Sequence, residues 1–341
     1  MKIFNYKKVL IFLGVVFVFF WSLSLGVNPR EDELKYGVSF SRFHSDELKL
    51  DWKKTYLAIL DDLKVRRLRL TAHWPLTEPK DGVYNFSELD FQIGEAEKRD
   101  ATVILAVGRR LPGWPECHTP DWAEKLPLDQ QRIKLLNYIE TVVNRYKKSS
   151  AIQYWQVENE MFLTFFSRSL CRQYSAGLED FLKEEINLVH KLDPFRQVIV
   201  TDSGEFGTWY KAYRSGDVFG TSMYLYVWWR NFLGPIRYPI TPAFFRIKNS
   251  LVHLIYGTKP SIVIELSSEP WLLQPIVDAP IDVQLQRMGV DKFNEMIKFS
   301  SKTGFNTFYL WGAEWWYWLS MHGHPELWDR ARELFATKKS I

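Results

Sequence analysis

Cysteine is almost missing: Cys117 and Cys171 are the two that occur in 341 residues. So few thiols exclude a disulfide-dense scaffold. With neither CxxC nor HExxH spacing and seven scattered histidines, a metal centre is not expected. No G-x-G-x-x-G follows the first apolar run, which argues against a dinucleotide cofactor, and no cofactor of any kind is expected. No block of basic residues occurs either. The net charge of +4 comes from acids and bases interspersed along the chain, so nucleic acid is not an expected partner. Between residues 36 and 336 no linker, repeat or low-complexity segment interrupts the pattern, and a chain of this length buries one large core without needing a second domain.

What is abundant is apolar and aromatic. Lys2, Lys7 and Lys8 (in the segment 1–8) precede an uncharged run from Val9 to Val27. At about 1.5 Å per residue that run is long enough to cross the hydrocarbon layer as a transmembrane helix. The lysines on one side and Glu31, Asp32 and Glu33 on the other orient the N-terminus to the cytoplasm and send the rest of the chain across. The competing reading is a cleaved signal peptide, with Ser24 and Gly26 near the cleavage site and a secreted product. Residues 28–35 then read as a linker, and 337–341 as a frayed tail. Export to an oxidising compartment, periplasmic or cell-surface, permits a disulfide between Cys117 and Cys171. Aromatic residues reach 16%, including 15 Trp, several of them clustered as in "WGAEWWYW" at 311–318.

From residue 36 short apolar runs alternate with longer amphipathic ones. The predicted strands are 36–40, 67–71, 102–107, 152–157, 197–201, 218–222, 261–265 and 307–311, and the predicted helices between them include 51–64, 87–99, 129–147, 178–192, 243–256 and 284–302. In the third of these helices Tyr138, Val142, Val143 and Tyr146 recur at helical spacing. Strand–helix alternation predicts an α/β protein with a parallel sheet. Eight units of about 34 residues each, (311 − 36)/8, match a (β/α)8 TIM barrel. A doubly wound open sheet is the rival; the missing glycine fingerprint and the spread of candidate residues over many strand ends oppose it.

In such a barrel the C-terminal strand ends converge on one mouth. The fourth strand ends in "QVENEMF" (156–162) and the seventh in "SIVIELSSEPW" (261–271), so Glu160 and Glu265 are candidates to flank one glycosidic bond as a pair of carboxyl groups. Glu158 and Glu269 remain alternatives on the same two strands. Trp311, ending the eighth strand, and Trp74, Trp114, Trp271, Trp315 and Trp316 offer flat faces for pyranose stacking, with ordinary core packing as the competing role. His73, His118, Asp202, Ser203, Glu205 and Glu314 are further polar candidates for contact with hydroxyls, against caps or solvated side chains. "NFS" at Asn85 matches a glycosylation sequon.

"WQVENE" (155–160) and "IVIELSSEPW" (262–271) resemble the retaining glycoside hydrolases of clan A, and "RLTAHWPLTEPKDGVYNFSELD" (69–90) is similar to the second-strand segment of the cellulase-like and family 42 β-galactosidase-like members. "TDSGE", "GTSMY" and "FYLWGAEWWYW" sit where the fifth, sixth and eighth strands should end. Met161 departs from the pattern, since many members carry Pro there. The resemblance implies Glu160 as acid/base, Glu265 as nucleophile, and Asn159 on the sugar 2-hydroxyl. It also implies that Arg69 and Tyr224 donate hydrogen bonds to the nucleophile. The activity it implies is cleavage of a β-glycosidic bond of an oligo- or polysaccharide by double displacement, with a carbohydrate substrate as the expected partner. A transglycosylase of envelope polysaccharide and an inactive carbohydrate-binding barrel stay open, as do the sugar and the oligomeric state.

Overall fold

A computed structural model describes residues 14, 33–113, 116–163, 177–228 and 234–336. The proposed anchor (Gly14 apart), residues 28–32 of the linker, the 337–341 tail, Trp114 and Cys171 fall outside the described residues. Among the described residues, no helix is long and apolar enough to cross a membrane. Cys117 is disulfide-bonded.

Among the described residues ten strands form: β1 (Lys35–Ser39), β2 (Arg67–Thr71), β3 (Thr102–Val107), β4 (Ile152–Val157), β5 (Val198–Asp202), β6 (Val218–Met223), β7 (Tyr226–Trp228), β8 (Pro235–Arg237), β9 (Ser261–Ser267) and β10 (Thr307–Trp311). Eight of them close into a parallel barrel in the order β1-β10-β9-β6-β5-β4-β3-β2, while β7 and β8 make a separate two-stranded ribbon. The (β/α)8 expectation therefore holds, with β9 and β10 as the seventh and eighth staves. Each predicted strand coincides with an observed one to within two residues at either end.

The helices follow from the same periodicity. Leu128–Tyr146 turns Leu135, Tyr138, Ile139, Val142, Val143 and Tyr146 inward on one stripe, and Trp52–Asp61 starts where the Asp51 carboxylate accepts the N–H groups of Lys53 and Lys54. One helix departs from expectation. The stretch 284–302 is two helices, Ile281–Arg287 and Val290–Ser301, because Gly289 is extended (φ −99°, ψ −176°) and turns the chain.

Side chains alternate along the staves. The inward set builds a small lumen core of Ile104, Ile199, Val218, Ile264 and Tyr309, separate from the large cluster between barrel and helices. Gly37 lies opposite Tyr309 in the β1–β10 ladder, and a Cβ there would stand 2.8 Å from the Tyr309 ring and 2.6 Å from the Arg67 carbonyl oxygen. Glycine at this point gives Tyr309 its place in the lumen. We expect Gly37→Val to destabilise the barrel by about 1–3 kcal/mol through overpacking, read as a lower urea midpoint. An unchanged midpoint would mean that the lumen is looser than described.

Candidate active site

The mouth is organised around a buried cation. Arg69, inward-facing near the end of β2, is 1% exposed, and each nitrogen of its guanidinium has its own acceptor. Nε donates to Gln156 Oε1 (2.8 Å), Nη1 to Glu265 Oε2 (2.8 Å) and Nη2 to Asn159 Oδ1 (2.8 Å). A planar fork with fixed donors suits this task, and lysine would not serve all three. The second oxygen of Glu265 accepts from the Tyr224 hydroxyl, and Tyr224 is fixed in turn by its N–H donating to Glu205 Oε1 at 2.7 Å. Asn159 is further held by the Thr201 hydroxyl (3.2 Å).

Glu160 sits on the facing side. The chain leaves β4 through two left-handed residues, Glu158 (φ 59°) and Glu160 (φ 46°), an uncommon conformation for glutamate that surrounding bonds must hold. The Glu160 N–H donates to Thr201 Oγ1 (2.8 Å), and its carbonyl accepts from Arg110 Nη1 (2.6 Å). Burial pushes the Glu160 carboxyl up to about 8, helped by the negative charges of Glu116 and then Glu265, while the Ser222 hydroxyl and Arg110 pull it down. Ser222 is paired in register with Glu265, so the residue that bonds Glu160 stands on the stave beside Glu265. Glu158 turns the other way. It is fully buried, its carboxylate accepting the N–H groups of Arg109 (2.8 Å) and Arg110 (2.5 Å), and Gly108 leaves space for it, since a Cβ there would lie 2.7 Å from that carboxyl. Behind it the Glu185 carboxyl is driven well above its usual range by burial and by the Glu158 charge. The Glu158 alternative therefore belongs to the framework.

Glu269 is also fully engaged. Its oxygens accept from Trp311 Nε1 (2.7 Å) and meet His44 Nε2 (2.7 Å). Gly312 (φ +123°) makes this approach feasible, as a Cβ there would come within 2.7 Å of Glu269 Cβ. Burial alone would depress His44; the Glu269 charge and hydrogen bonds outweigh it and raise the imidazole well above its usual value. His44 stacks on Trp311 at 5.8 Å. Glu314, pushed up to about 7 by burial, accepts the Ser41 N–H at 2.6 Å and so fixes the turn that carries His44.

Not every predicted residue reaches the mouth. Trp74 is fully buried, stacked on Tyr138 at 5.6 Å with Nε1 bonded to Glu78: an aromatic beyond β2 finds more apolar surface in the helical shell than in a wet cleft. Asp202 is fully buried with its oxygens on the N–H groups of Ser203 and Trp209 (2.9 Å each), a cap for the turn after β5. His73 is enclosed against Phe43 (4.6 Å) and His118 (4.7 Å), and Trp315 and Trp316 are core. Glu314 supports the site from beneath. Trp271, 45% exposed, does reach the rim, edge-on to Tyr224 at 5.3 Å, and Glu205, pushed up to about 7 by burial, lies beneath the same tyrosine. Gln156, Thr201, Ser222, Arg110, Glu116 and His44 carry part of the site and are absent from the sequence-based set. Strand alternation from Arg69 and Asn159 could have found Gln156 and Thr201; no local signal marks the loop residues.

Comparison with known proteins follows this geometry. Residues 71–214 match glycosyl hydrolase family 10, a span that contains Asn159 and Glu160 and ends before Glu265. The chain is similar to an endo-1,4-β-xylanase of Claviceps purpurea, 29% identical over 127 residues (37% of either chain). It is also similar to a β-galactosidase of Geobacillus sp. (strain Y412MC61), 24% identical over 139 residues (35% of this chain, 20% of that one). It thus spans little more than a third, and a fifth, of those relatives' lengths. Among solved structures, an exo-β-1,4-mannosidase of Opitutaceae bacterium strain TAV5 superposes with a TM-score of 0.57 at 13% identity, covering 89% of this chain and 59% of that one, a likeness of fold. The resemblance to the retaining glycosidases of clan A, carried in the sequence by the two glutamate segments, is thereby supported from both sequence and fold.

The raised Glu160 has a consequence for stability. A carboxyl whose folded value exceeds its unfolded value binds more protons when folded, so it lowers stability as pH rises from 4.5 to about 8. Glu160→Gln should therefore melt higher than the natural protein at pH 8, with the gap closing below pH 4.5. Equal melting curves across that range would show that Glu160 titrates normally. Replacing Glu116 by Gln removes the larger like charge and frees Arg110 from its 2.7 Å ion pair, which should move the Glu160 titration to lower pH.

Proposed function

We propose that the chain is a retaining glycoside hydrolase that cleaves a β-glycosidic bond of an oligo- or polysaccharide by double displacement. The observation that carries this reading is the asymmetry of the two carboxyl groups: Glu265 is held between Arg69 and Tyr224, while Glu160 is held toward its protonated form. A retaining mechanism needs that division.

In the first step Glu160 delivers its proton to the glycosidic oxygen as that bond breaks. A Glu265 oxygen attacks the anomeric carbon from the other face and forms a glycosyl ester. The leaving saccharide departs with the Glu160 proton, so Glu160 becomes a carboxylate able to take a proton from water. That water attacks the anomeric carbon on the face the leaving saccharide vacated, the bond to Glu265 breaks and frees its carboxylate, Glu160 keeps the proton taken from the water, and the configuration is restored. Arg69 and Tyr224 keep Glu265 aimed, and Asn159, fixed by the same guanidinium, is placed to bond the 2-hydroxyl as positive charge develops on the ring. Trp311 and Trp271 serve as stacking surfaces at the mouth. Glu265 shares the Arg69 guanidinium with Asn159 and its charge acts on Glu160, whereas Glu269 is bonded to Trp311 and His44, which favours Glu265 as the nucleophile. The xylanase, β-galactosidase and mannosidase names of the similar proteins support a β-linked pyranoside as the substrate class. We place the barrel outside the cytoplasm, tethered through the uncharged run Val9–Val27.

Two variants separate the roles. Glu160→Gln should lose about 10²–10⁴ in rate on an aryl glycoside with a poor leaving group, and far less on a dinitrophenyl glycoside that needs no proton. Glu265→Gln should lose activity on both. A 2-deoxy-2-fluoro glycoside should label a peptide spanning residues 261–271 at Glu265. Label on Glu269, or products with inverted anomeric configuration, would contradict the assignment.

A further inference from the structure

Among the large apolar side chains that the described residues expose, the barrel topology sends one set to the mouth and a second to the opposite end. The first, including Phe206 and Trp271, rims the mouth, where the proposed function uses Trp271. The second has no role in that chemistry. Phe195 is 94% exposed in the turn that leads into β5. Leu251, Leu254 (82%), Ile255 (64%) and Tyr256 are exposed on the last turns of the helix Pro242–Tyr256, which leads into β9. Met321 is exposed at the far end of the helix Ala313–Met321 that descends from β10. Segments that lead into parallel staves lie at the N-terminal face, away from the mouth.

Packing traces the course of the helix Pro242–Tyr256. Phe245 meets Phe299, in the last turn of Val290–Ser301, at 6.1 Å. A Cβ on Gly304, in the turn before β10, would touch Arg246 at 3.7 Å. The same stretch also meets the mouth-side turn after β5, where Lys248 Nζ donates to the Gly204 and Gly207 carbonyls (2.6 and 2.8 Å), so the helix descends from there and its last turns carry Leu251, Leu254 and Ile255 toward the segment leading into β9.

The face is basic as well as apolar. Lys148, Lys191 and Arg214 are exposed in the segments leading into β4, β5 and β6, and the Arg214 guanidinium lies over the Tyr256 ring at 5.9 Å. Asp217, nearby, is paired with His190 at 3.3 Å.

The chain itself says what covers this face. The uncharged run ends at Val27, and β1 begins at Lys35 on the same face, beside β10. The seven residues 28–34 reach at most about 25 Å when fully extended. A barrel tethered that closely to a bilayer, with exposed aliphatic side chains and cations at the tethered end, has the composition of an interfacial contact.

We propose that the N-terminal face of the barrel, centred on Leu254 and Ile255 and flanked by Phe195 and Arg214, rests on the surface of a bilayer carrying anionic headgroups and holds the mouth pointing away from it. The contact rests on the anchor reading under Proposed function, and it adds an orientation that the tether alone does not impose.

The test uses the full chain incorporated into vesicles of phosphatidylcholine with and without phosphatidylglycerol. Single cysteines replace Leu254 (Leu254→Cys) and, at the mouth, Trp271 (Trp271→Cys), and each carries an environment-sensitive fluorophore; both sites are exposed, so folding should be preserved. The fluorophore at 254 should shift to shorter wavelength and be quenched several-fold more by lipid-borne doxyl groups than the one at 271, which aqueous iodide should quench instead. The difference should grow with phosphatidylglycerol. Co-flotation with vesicles while both fluorophores report water keeps the anchor and overturns the contact. Failure to co-float overturns both. A blue shift at 254 that follows protein concentration in the absence of vesicles assigns the face to a second copy of the chain and also overturns the proposal.

Discussion

Burying the Arg69 guanidinium inside a closed barrel is the constraint on which the mouth depends. A cation removed from water is tolerated when its donors are matched by acceptors of good geometry. Here the acceptors come from different places in the chain: Gln156 on β4, Asn159 just beyond it and Glu265 on β9. Satisfying one side chain therefore fixes the relative positions of two strand ends that lie on opposite sides of the closed sheet. Truncating any acceptor would leave buried charge unpaired and disturb the others, so the site is coupled rather than assembled from independent contacts.

Around that hub the protein sets two glutamates in different environments. Glu265 has a cationic and a phenolic donor, one on each oxygen. Glu160 has its backbone clamped by Thr201 and Arg110 and its carboxyl subjected to burial and to like charges. The positive φ at Glu158 and Glu160 is how one short turn sends consecutive acids to different tasks. Glu158 points into the shell against the Arg109 and Arg110 amides, and Glu160 into the cleft. Glu269, His44 and Trp311 form an adjoining wall whose polar groups are already joined to one another, which preorganises it.

The barrel was legible because its cause is repetitive: apolar runs of strand length alternating with amphipathic helices leave few topologies. Glu265 was legible because it follows such a run directly, and Glu160 because it lies three residues beyond another. Trp74 and Asp202 went astray for a related reason. Position near a strand end locates a residue to the mouth region but not to one side of the wall, and the stacked Tyr138 ring and the Ser203–Trp209 turn decided those cases. His44, Arg110 and Glu116 act from loops whose conformation no period announces. The helix break at Gly289 shows the same limit, since apolar spacing runs on across a turn that one backbone angle interrupts.

The account stands on Glu160 and Glu265 sharing one cleft in which the Glu160 carboxyl is held toward its protonated form. Carbon-13 NMR of the glutamate carboxyls, followed through a pH titration, addresses this most directly. It should reveal a resonance with a midpoint at about 8, absent from Glu160→Gln, whose midpoint falls when Glu265 is replaced by Gln and its like charge is lost. A Glu160 resonance that titrates near 4.5, or one indifferent to the loss of Glu265, would contradict the account.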